Sequence, residues 1–259
     1  MWAKKSLGQH FLKSEKALNS IVKAGDVRNT DTVLEIGPGQ GALTEKLLAT
    51  SCKVLAIEKD DGLVEELKEK FKIEIENGKL KLIHGDILEF DLSKLEANNY
   101  KLVANIPYNI TGAIFRKFLS AEHQPSRMVL LVQKEVAERI VAKDKKESIL
   151  SISVKVYGNP KYIEKVLAGS FTPAPTVDSA ILLVENISKS FFEKFSEDDF
   201  FSLLKAGFAS KRKKLSSNLS LLFPKEKVQE TFAQLSIDPN TRAEDIELQT
   251  WKDLASKLL

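Results

Sequence analysis

Asn105-Ile106-Pro107-Tyr108 brings together residue types suited to a flat polar ligand. The asparagine amide can both donate and accept, the proline stiffens the turn, and the tyrosine ring offers a stacking face. A nucleobase has a hydrogen-bonding edge and a π-face that would use all three. Taken alone, the four residues also fit an asparagine turn followed by a packed tyrosine. Three other groups bear on the choice. Glu35-Ile36-Gly37-Pro38-Gly39-Gln40-Gly41 spaces its glycines at i, i+2 and i+4. Such a turn admits positive φ and lets a ligand approach the backbone closely. It matches neither the G-x-G-x-x-G of dinucleotide enzymes nor a phosphate-cradling loop that ends in Gly-Lys-Ser/Thr. Glu58 lies 21 residues after Gly37, where an acid accepts hydrogen bonds from the two ribose hydroxyls of a nucleoside. Asp86 is a further carboxylate, an acceptor suited to the exocyclic amine of an adenine or to capping the next turn.

These residues need a scaffold that gathers them. Apolar runs at Thr32–Ile36, Lys53–Glu58, Leu80–Asp86, Tyr100–Ala104 and Met128–Gln133 read as short buried strands. Segments of helical spacing separate them, such as Ala42–Leu48, then Leu63, Val64, Leu67 and Phe71, then Ile114, Phe115, Phe118 and Leu119. Residues 14–24 make a plausible helix before the first strand. Ile152–Tyr157 and Ala180–Val184 supply two more strands, expected as an antiparallel addition at one edge. Seven strands alternating with helices predict an α/β fold with a mainly parallel sheet covered on both faces. Pro107 ends the fourth strand, because it has no amide hydrogen for a ladder. Asn105 and Tyr108 then sit at the carboxyl edge, where open α/β sheets bind ligands. Glu58 and Asp86 end neighbouring strands and face the same crevice.

Composition sets outer bounds. The chain has 259 residues, of which 43% are hydrophobic and 29% charged, as in ordinary globular proteins. One cysteine, Cys52, excludes an intrachain disulfide and any multi-cysteine metal site, and His10, His84 and His123 have no metal-ligand spacing. Met1-Trp2-Ala3-Lys4-Lys5-Ser6 is followed by no apolar signal core, and no run is long enough to span a membrane, so a cytosolic protein is expected. Net charge is only +3, but Lys205 to Asn218 holds five basic residues (Lys205, Lys211, Arg212, Lys213 and Lys214) and no acidic one. This cluster fits a solvated face or a phosphate-backbone contact. After Asn186 the strand signal fades, and Phe191, Phe192, Phe195, Phe200 and Phe201 read as the core of a small helical domain. The expected organisation is an α/β domain over residues 1–185 and a helical domain over 186–259.

Together, the glycine loop, the strand-end acids and Asn-Ile-Pro-Tyr resemble class I S-adenosylmethionine-dependent methyltransferases that act on amino groups. More narrowly, the chain resembles the KsgA-type ribosomal RNA adenine N6,N6-dimethyltransferases. The resemblance runs through Leu7–Leu12, Leu34–Thr44, Gly85-Asp86, Asn105–Thr111, Gln133–Val136 and Phe171–Ser179. It continues in Lys211–Leu219 and Ile237–Glu244. It implies a Rossmann-like methyltransferase sheet with a small C-terminal all-helical domain that binds RNA through Lys211, Arg212, Lys213 and Lys214. S-adenosyl-L-methionine would be held by Gly37, Gly39 and Gly41, with Glu58 at the ribose and Asp86 at the adenine amine. His10 and Leu12 would lie in an N-terminal segment folded over it, and Asn105 would touch both ligands. Asn105 and the Ile106 carbonyl would accept the two hydrogens of the target amine beside the Pro107 turn. Tyr108 would stack on one face of the base and Phe171 on the other.

The substrate so implied is small-subunit rRNA within a 30S assembly intermediate, with two adjacent adenosines dimethylated by a monomeric enzyme that needs no metal. Two alternatives stay open. One is a large-subunit rRNA methyltransferase of the macrolide-resistance type, and the other a non-catalytic nucleic-acid-binding factor on the same scaffold. The segment 144–149 and Gly112 depart from the family pattern, away from the methyl-transfer contacts.

Overall fold

In a computed structural model of the chain, residues 4, 7–95 and 99–259 are described; apart from Lys4, the expected signal-free start Met1–Ser6 lies outside them. The chain divides into two compact units. One comprises residues 1–137 and 159–187, the other residues 138–158 and 188–259. The later boundary lies beside the composition change at Asn186, but the second unit also takes in 138–158, which the linear division 1–185 and 186–259 does not contain. No described helix is long and apolar enough to cross a membrane.

The first unit is built on a seven-stranded sheet in the order β4-β3-β2-β5-β6-β9-β7. Its strands are β2 (Thr32–Ile36), β3 (Lys53–Glu58), β4 (Leu80–His84), β5 (Lys101–Asn105), β6 (Arg127–Gln133), β7 (Asn159–Val166) and β9 (Ser179–Glu185). From β4 across to β6 every pairing is parallel, and β9 runs antiparallel between β6 and β7. Val33, Leu102, Val103, Met128, Val129 and Leu130 are wholly buried, as strands covered on both faces require. The covering helices are α1 (Glu15–Gly25), α2 (Ala42–Leu48), α3 (Asp61–Lys70), α4 (Lys72–Glu76) and α5 (Thr111–Leu119), with the start of α6 (Lys134–Ile140). Ser14 and Asp60 start α1 and α3 by accepting from backbone N–H groups of the first turn, the positions left without partners inside a helix. A separate two-stranded ribbon joins β1 (Phe11–Leu12) to β8 (Phe171–Thr172), pairing Phe11 with Thr172 and Leu12 with Phe171.

The expected strand at Ile152–Tyr157 is instead helical. Its alternating Ile-Ser-Val-Lys-Val pattern imitates a half-buried strand, but Ser148 and Ser151 form a reciprocal capping box that starts α7 (Ile149–Lys155). The edge strand is β7, whose Pro160, Lys161 and Lys165 suit an exposed border.

The second unit adds α8 (Glu197–Gly207), α9 (Leu215–Leu219), α10 (Lys225–Gln234) and α11 (Leu248–Leu258). Phe191 meets Phe200 edge-on with centroids 4.9 Å apart, and Tyr157 packs on Phe192 at 5.3 Å, so the phenylalanines are core. A Cβ on Gly207 would come within 2.4 Å of the buried Trp251 ring, so this helix contact needs glycine. Lys146 pairs with Asp245, and the Glu147 amide donates to the Glu244 carbonyl, which fixes the atypical 144–149 segment within this unit.

Candidate active site

Four parallel strands deliver the candidate residues to one edge. β2 runs into the glycine loop, β3 ends at Glu58, Gly85 and Asp86 follow β4, and β5 ends at Asn105. Strand order reverses between β2 and β5, and that reversal opens a crevice beyond their carboxyl ends. The crevice is a cavity of about 240 Å³ walled by residues 7–12, 35–40, 57–59, 85–88 and 105–110. His10, Leu12, Gly37, Gly39, Glu58, Asp86, Asn105, Ile106, Pro107 and Tyr108 all line it.

The three loop glycines have positive φ but different neighbours. A Cβ on Gly37 would meet nothing within 4 Å, so the loop backbone lies bare to the cavity there. A Cβ on Gly39 would press on the Phe11 ring at 3.0 Å. At Gly41 it would collide with Phe71 at 2.5 Å, and Gly41 does not line the cavity. The expectation that Gly41 touches the cofactor is therefore replaced by a packing role at the start of α2.

Glu58 is buried, and its carboxylate organises the turns around it. One oxygen accepts from the amides of Lys59 and Asp60, both at 2.9 Å, and the other from the Gly39 amide at 3.1 Å. Burial pushes its pKa up against these hydrogen bonds. The oxygen bonded to Gly39 keeps acceptor capacity beyond that bond, whereas the other already accepts two. Asp86 accepts from Lys59 Nζ at 2.7 Å and from the Leu88 amide at 2.8 Å, and the Lys59 hydrogen bond holds its pKa below the usual range. Glu35 escaped the sequence reading as a site residue, although it directly precedes the loop. It is almost completely buried and accepts from the Thr44 hydroxyl at 2.8 Å. Burial pushes its carboxyl up to about 8, with Thr44 opposing and the nearby Glu58 charge adding. Asp60 also went unremarked as a site residue. It anchors the N-terminal segment, accepting from Lys4 Nζ at 2.8 Å and Gln9 Nε2 at 3.0 Å.

These walls fit a nucleoside that carries positive charge. Gly37 and Gly85 leave room where a Cβ would intrude, and Glu58 and Asp86 provide carboxylates along the cavity. A sulfonium compound such as S-adenosylmethionine has that charge as well as ribose hydroxyls and an adenine amine for the two strand-end acids.

On the cavity wall, the side-chain amide of Asn105 has a defined polarity. It lies 3.1 Å from the His10 backbone carbonyl, which can only accept, so the nitrogen faces His10 and the oxygen is left for another donor. Tyr108 follows Pro107 on a short 3-10 turn, half-buried, with its hydroxyl 2.6 Å from Ser179 Oγ. The His10 ring stacks on the Tyr108 ring at 5.9 Å and 21°. Phe171 does not belong to this group. It is buried in the hydrophobic core with Leu12 and does not line the cavity, so it offers no face to a base. Its aromatic type suited stacking, but pairing with Leu12 in the ribbon turns it into packing.

The basic cluster belongs to the helical unit. Asn218, buried on α9, donates to the carbonyls of Gly207 and Ser210 at 2.7 and 3.0 Å and so shapes the loop before Lys211. Lys211, Arg212, Lys213 and Lys214 are all exposed on that loop and form no ion pair among the described residues. Their charge is therefore available to an anionic surface.

Residues 2–258 match the family model of the ribosomal RNA adenine dimethylases. A protein of Dehalococcoides mccartyi named ribosomal RNA small subunit methyltransferase A is 45% identical over 256 residues, covering 97% of this chain and 87% of that one. One of the same name from Fusobacterium nucleatum is 39% identical, covering 97% of this chain and 96% of its own length. Among solved structures, a dimethyladenosine transferase from Plasmodium falciparum superposes with a TM-score of 0.82 at 28% identity, covering 95% of this chain and 96% of the other. The 23S rRNA methyltransferase ErmE superposes at 0.77 with 23% identity, covering 96% and 99%, a likeness of fold. With the match running from end to end, the chain belongs to the ribosomal RNA adenine dimethylase family, S-adenosylmethionine-dependent enzymes that methylate adenine in ribosomal RNA.

Proposed function

We propose that this enzyme dimethylates the N6 amino groups of two adjacent adenosines in small-subunit rRNA, acting as a monomer in the cytoplasm on an assembling 30S particle. The observation that carries the reading is the polarity of the Asn105 amide, whose nitrogen donates to the His10 carbonyl and so leaves its oxygen as the acceptor on a residue that lines the cavity together with Tyr108. The small-subunit choice is supported by the names of relatives at 39–45% identity, whereas the large-subunit enzyme ErmE shares the fold at 23%.

An adenine amine is a weak nucleophile because its lone pair is delocalised into the ring. The Asn105 side-chain oxygen accepts one of its hydrogens and the Ile106 carbonyl the other, which draws the nitrogen towards tetrahedral geometry and frees the lone pair. Tyr108 stacks on the base, an interaction worth roughly 1–3 kcal/mol that offsets part of the cost of unstacking the target. Glu58 holds the ribose hydroxyls and Asp86 the adenine amine of the cofactor, while Gly37 lets it lie against bare backbone and Gly39 lines the same wall. When bound, S-adenosylmethionine supplies a methyl group on a sulfonium, a neutral leaving group once displaced. Positioning and electrostatics then provide most of the acceleration. Lys211, Arg212, Lys213 and Lys214 contact RNA phosphates.

The test uses labelled S-adenosylmethionine with separated small and large ribosomal subunits from a strain lacking the modification. Label should enter the small subunit as N6,N6-dimethyladenine, and Asn105→Ala should reduce it by orders of magnitude while cofactor binding persists. Label confined to the large subunit would sink the substrate assignment, and near-normal turnover by Asn105→Ala would sink the mechanism.

A further inference from the structure

Tyr108 stands between two rigid elements and belongs to neither. β5 ends at Asn105, α5 begins at Thr111, and the ring is carried by the 3-10 turn Tyr108–Ile110. On such a turn a tyrosine can change rotamer unless something else holds it. Two contacts from remote parts of the chain do so. We propose that His10 and Ser179 are positioning residues for the target base, His10 by covering one face of the Tyr108 ring and Ser179 by holding its hydroxyl, so that the adenine is offered only the opposite face. This rests on the reading that Tyr108 stacks on the base.

Each contact has a firm foundation. Ser179 is wholly buried at the start of β9, where it pairs with Gln133 of β6 on one side and Val166 of β7 on the other. Its Oγ is therefore set by two ladders, and at 2.6 Å it makes a short hydroxyl–hydroxyl hydrogen bond with Tyr108. His10 is fixed from another direction. Its Nδ1 lies 2.8 Å from the Pro173 carbonyl, which can only accept, so Nδ1 carries the hydrogen. The next residue, Phe11, pairs with Thr172 in the ribbon. The same His10 accepts through its backbone carbonyl from Asn105 Nδ2. One residue thus orients both the amide that would receive the base's hydrogen and the ring that would receive its face. Their relative geometry is set before RNA arrives, which lowers the ordering cost on binding. It also accounts for Phe171: paired with Leu12, it holds the ribbon that carries His10.

The experiment measures kcat and KM on unmodified small subunits, the affinity for S-adenosylhomocysteine and the melting temperature. It compares wild type with His10→Ala, His10→Phe, Ser179→Ala, Tyr108→Ala, Tyr108→Phe and the Tyr108→Phe/Ser179→Ala double variant. His10→Ala is expected to lower kcat/KM for subunits about two- to tenfold, the range for one aromatic pair, and His10→Phe to recover most of that loss. Ser179→Ala should lower it similarly in wild type but add nothing in Tyr108→Phe, where the hydroxyl is already gone. Affinity for S-adenosylhomocysteine should stay unchanged in Ser179→Ala. A Ser179→Ala penalty that persists in Tyr108→Phe would overturn the inference, as would a His10→Ala loss confined to the nucleoside. If Tyr108→Ala leaves kcat/KM intact, the stacking reading itself falls. If Tyr108→Ala is crippled while His10→Ala and Ser179→Ala behave as wild type, only the positioning roles fall.

Discussion

At the scale of single residues, the cavity places carboxylates where burial works against their charge. Glu35 shows this most clearly, because among the described residues Thr44 is its one hydrogen-bond partner and Glu58 lies close enough to oppose its ionisation. Its carboxyl is pushed from an ordinary 4.5 to about 8. Between these values the native state holds a proton that the unfolded chain has released. The sign follows: stability is fully present below about pH 4.5, falls as the pH rises, and stops falling beyond about 8. Glu35→Gln keeps a side-chain oxygen for Thr44 and removes the titration. Thermal melts of the two proteins should therefore agree at acid pH and separate through neutrality, with wild type the less stable by a few kcal/mol at the alkaline end. Parallel melting curves across that span would refute the assignment. The sequence placed this carboxyl beside the loop, but nothing local revealed its burial, which comes from packing with α2 through Thr44.

At the scale of elements, local signals were readable and long-range ones were not. Strand ends, the glycine turn and the proline stop are written in consecutive residues, and they brought Glu58, Asp86 and Asn105 to one edge. The ribbon of β1 with β8 is too short to show a period, and it links residues about 160 positions apart, so His10 against Pro173 left no trace in the pattern. Ile152–Tyr157 differs in being a local conflict, in which a two-residue alternation competes with the Ser148–Ser151 capping box and the cap prevails. The glycine loop separates two roles that spacing alone merges. Gly41→Ala, with φ at 79° and Phe71 in the way, should cost about 2–4 kcal/mol in denaturant midpoint experiments. Gly37→Ala, facing open space at φ 62°, should cost about 1 kcal/mol and instead weaken nucleoside binding. Equal destabilisation by the two would refute the division.

At the scale of the whole molecule, an α/β unit carries the chemistry and a helical unit carries the concentrated positive charge. The phenylalanine spacing announced the helical core, but residues 138–158 join that unit from within the α/β part of the chain, a non-local choice that linear composition does not show. Replacing Arg212, Lys213 and Lys214 by glutamine should weaken rRNA binding and flatten the plot of log affinity against log salt by up to about two to three in slope, leaving the melting temperature within about 2 °C. An unchanged slope would make the cluster a solvated face. The N-terminal wall of the cavity has a different consequence, one for turnover. From Leu7 to Phe11 the chain is only half-buried, and Leu12 is the first side chain to enter the core. Among the described residues, the side-chain hydrogen bonds that tie this stretch and Lys4 down run to Asp60, Pro173 and Asn105, and none is a rung of the seven-stranded sheet. Lifting this stretch would break contacts at the cavity wall and no rung of the seven-stranded sheet, so a spent nucleoside leaving by that route would make no demand on the stability of the fold.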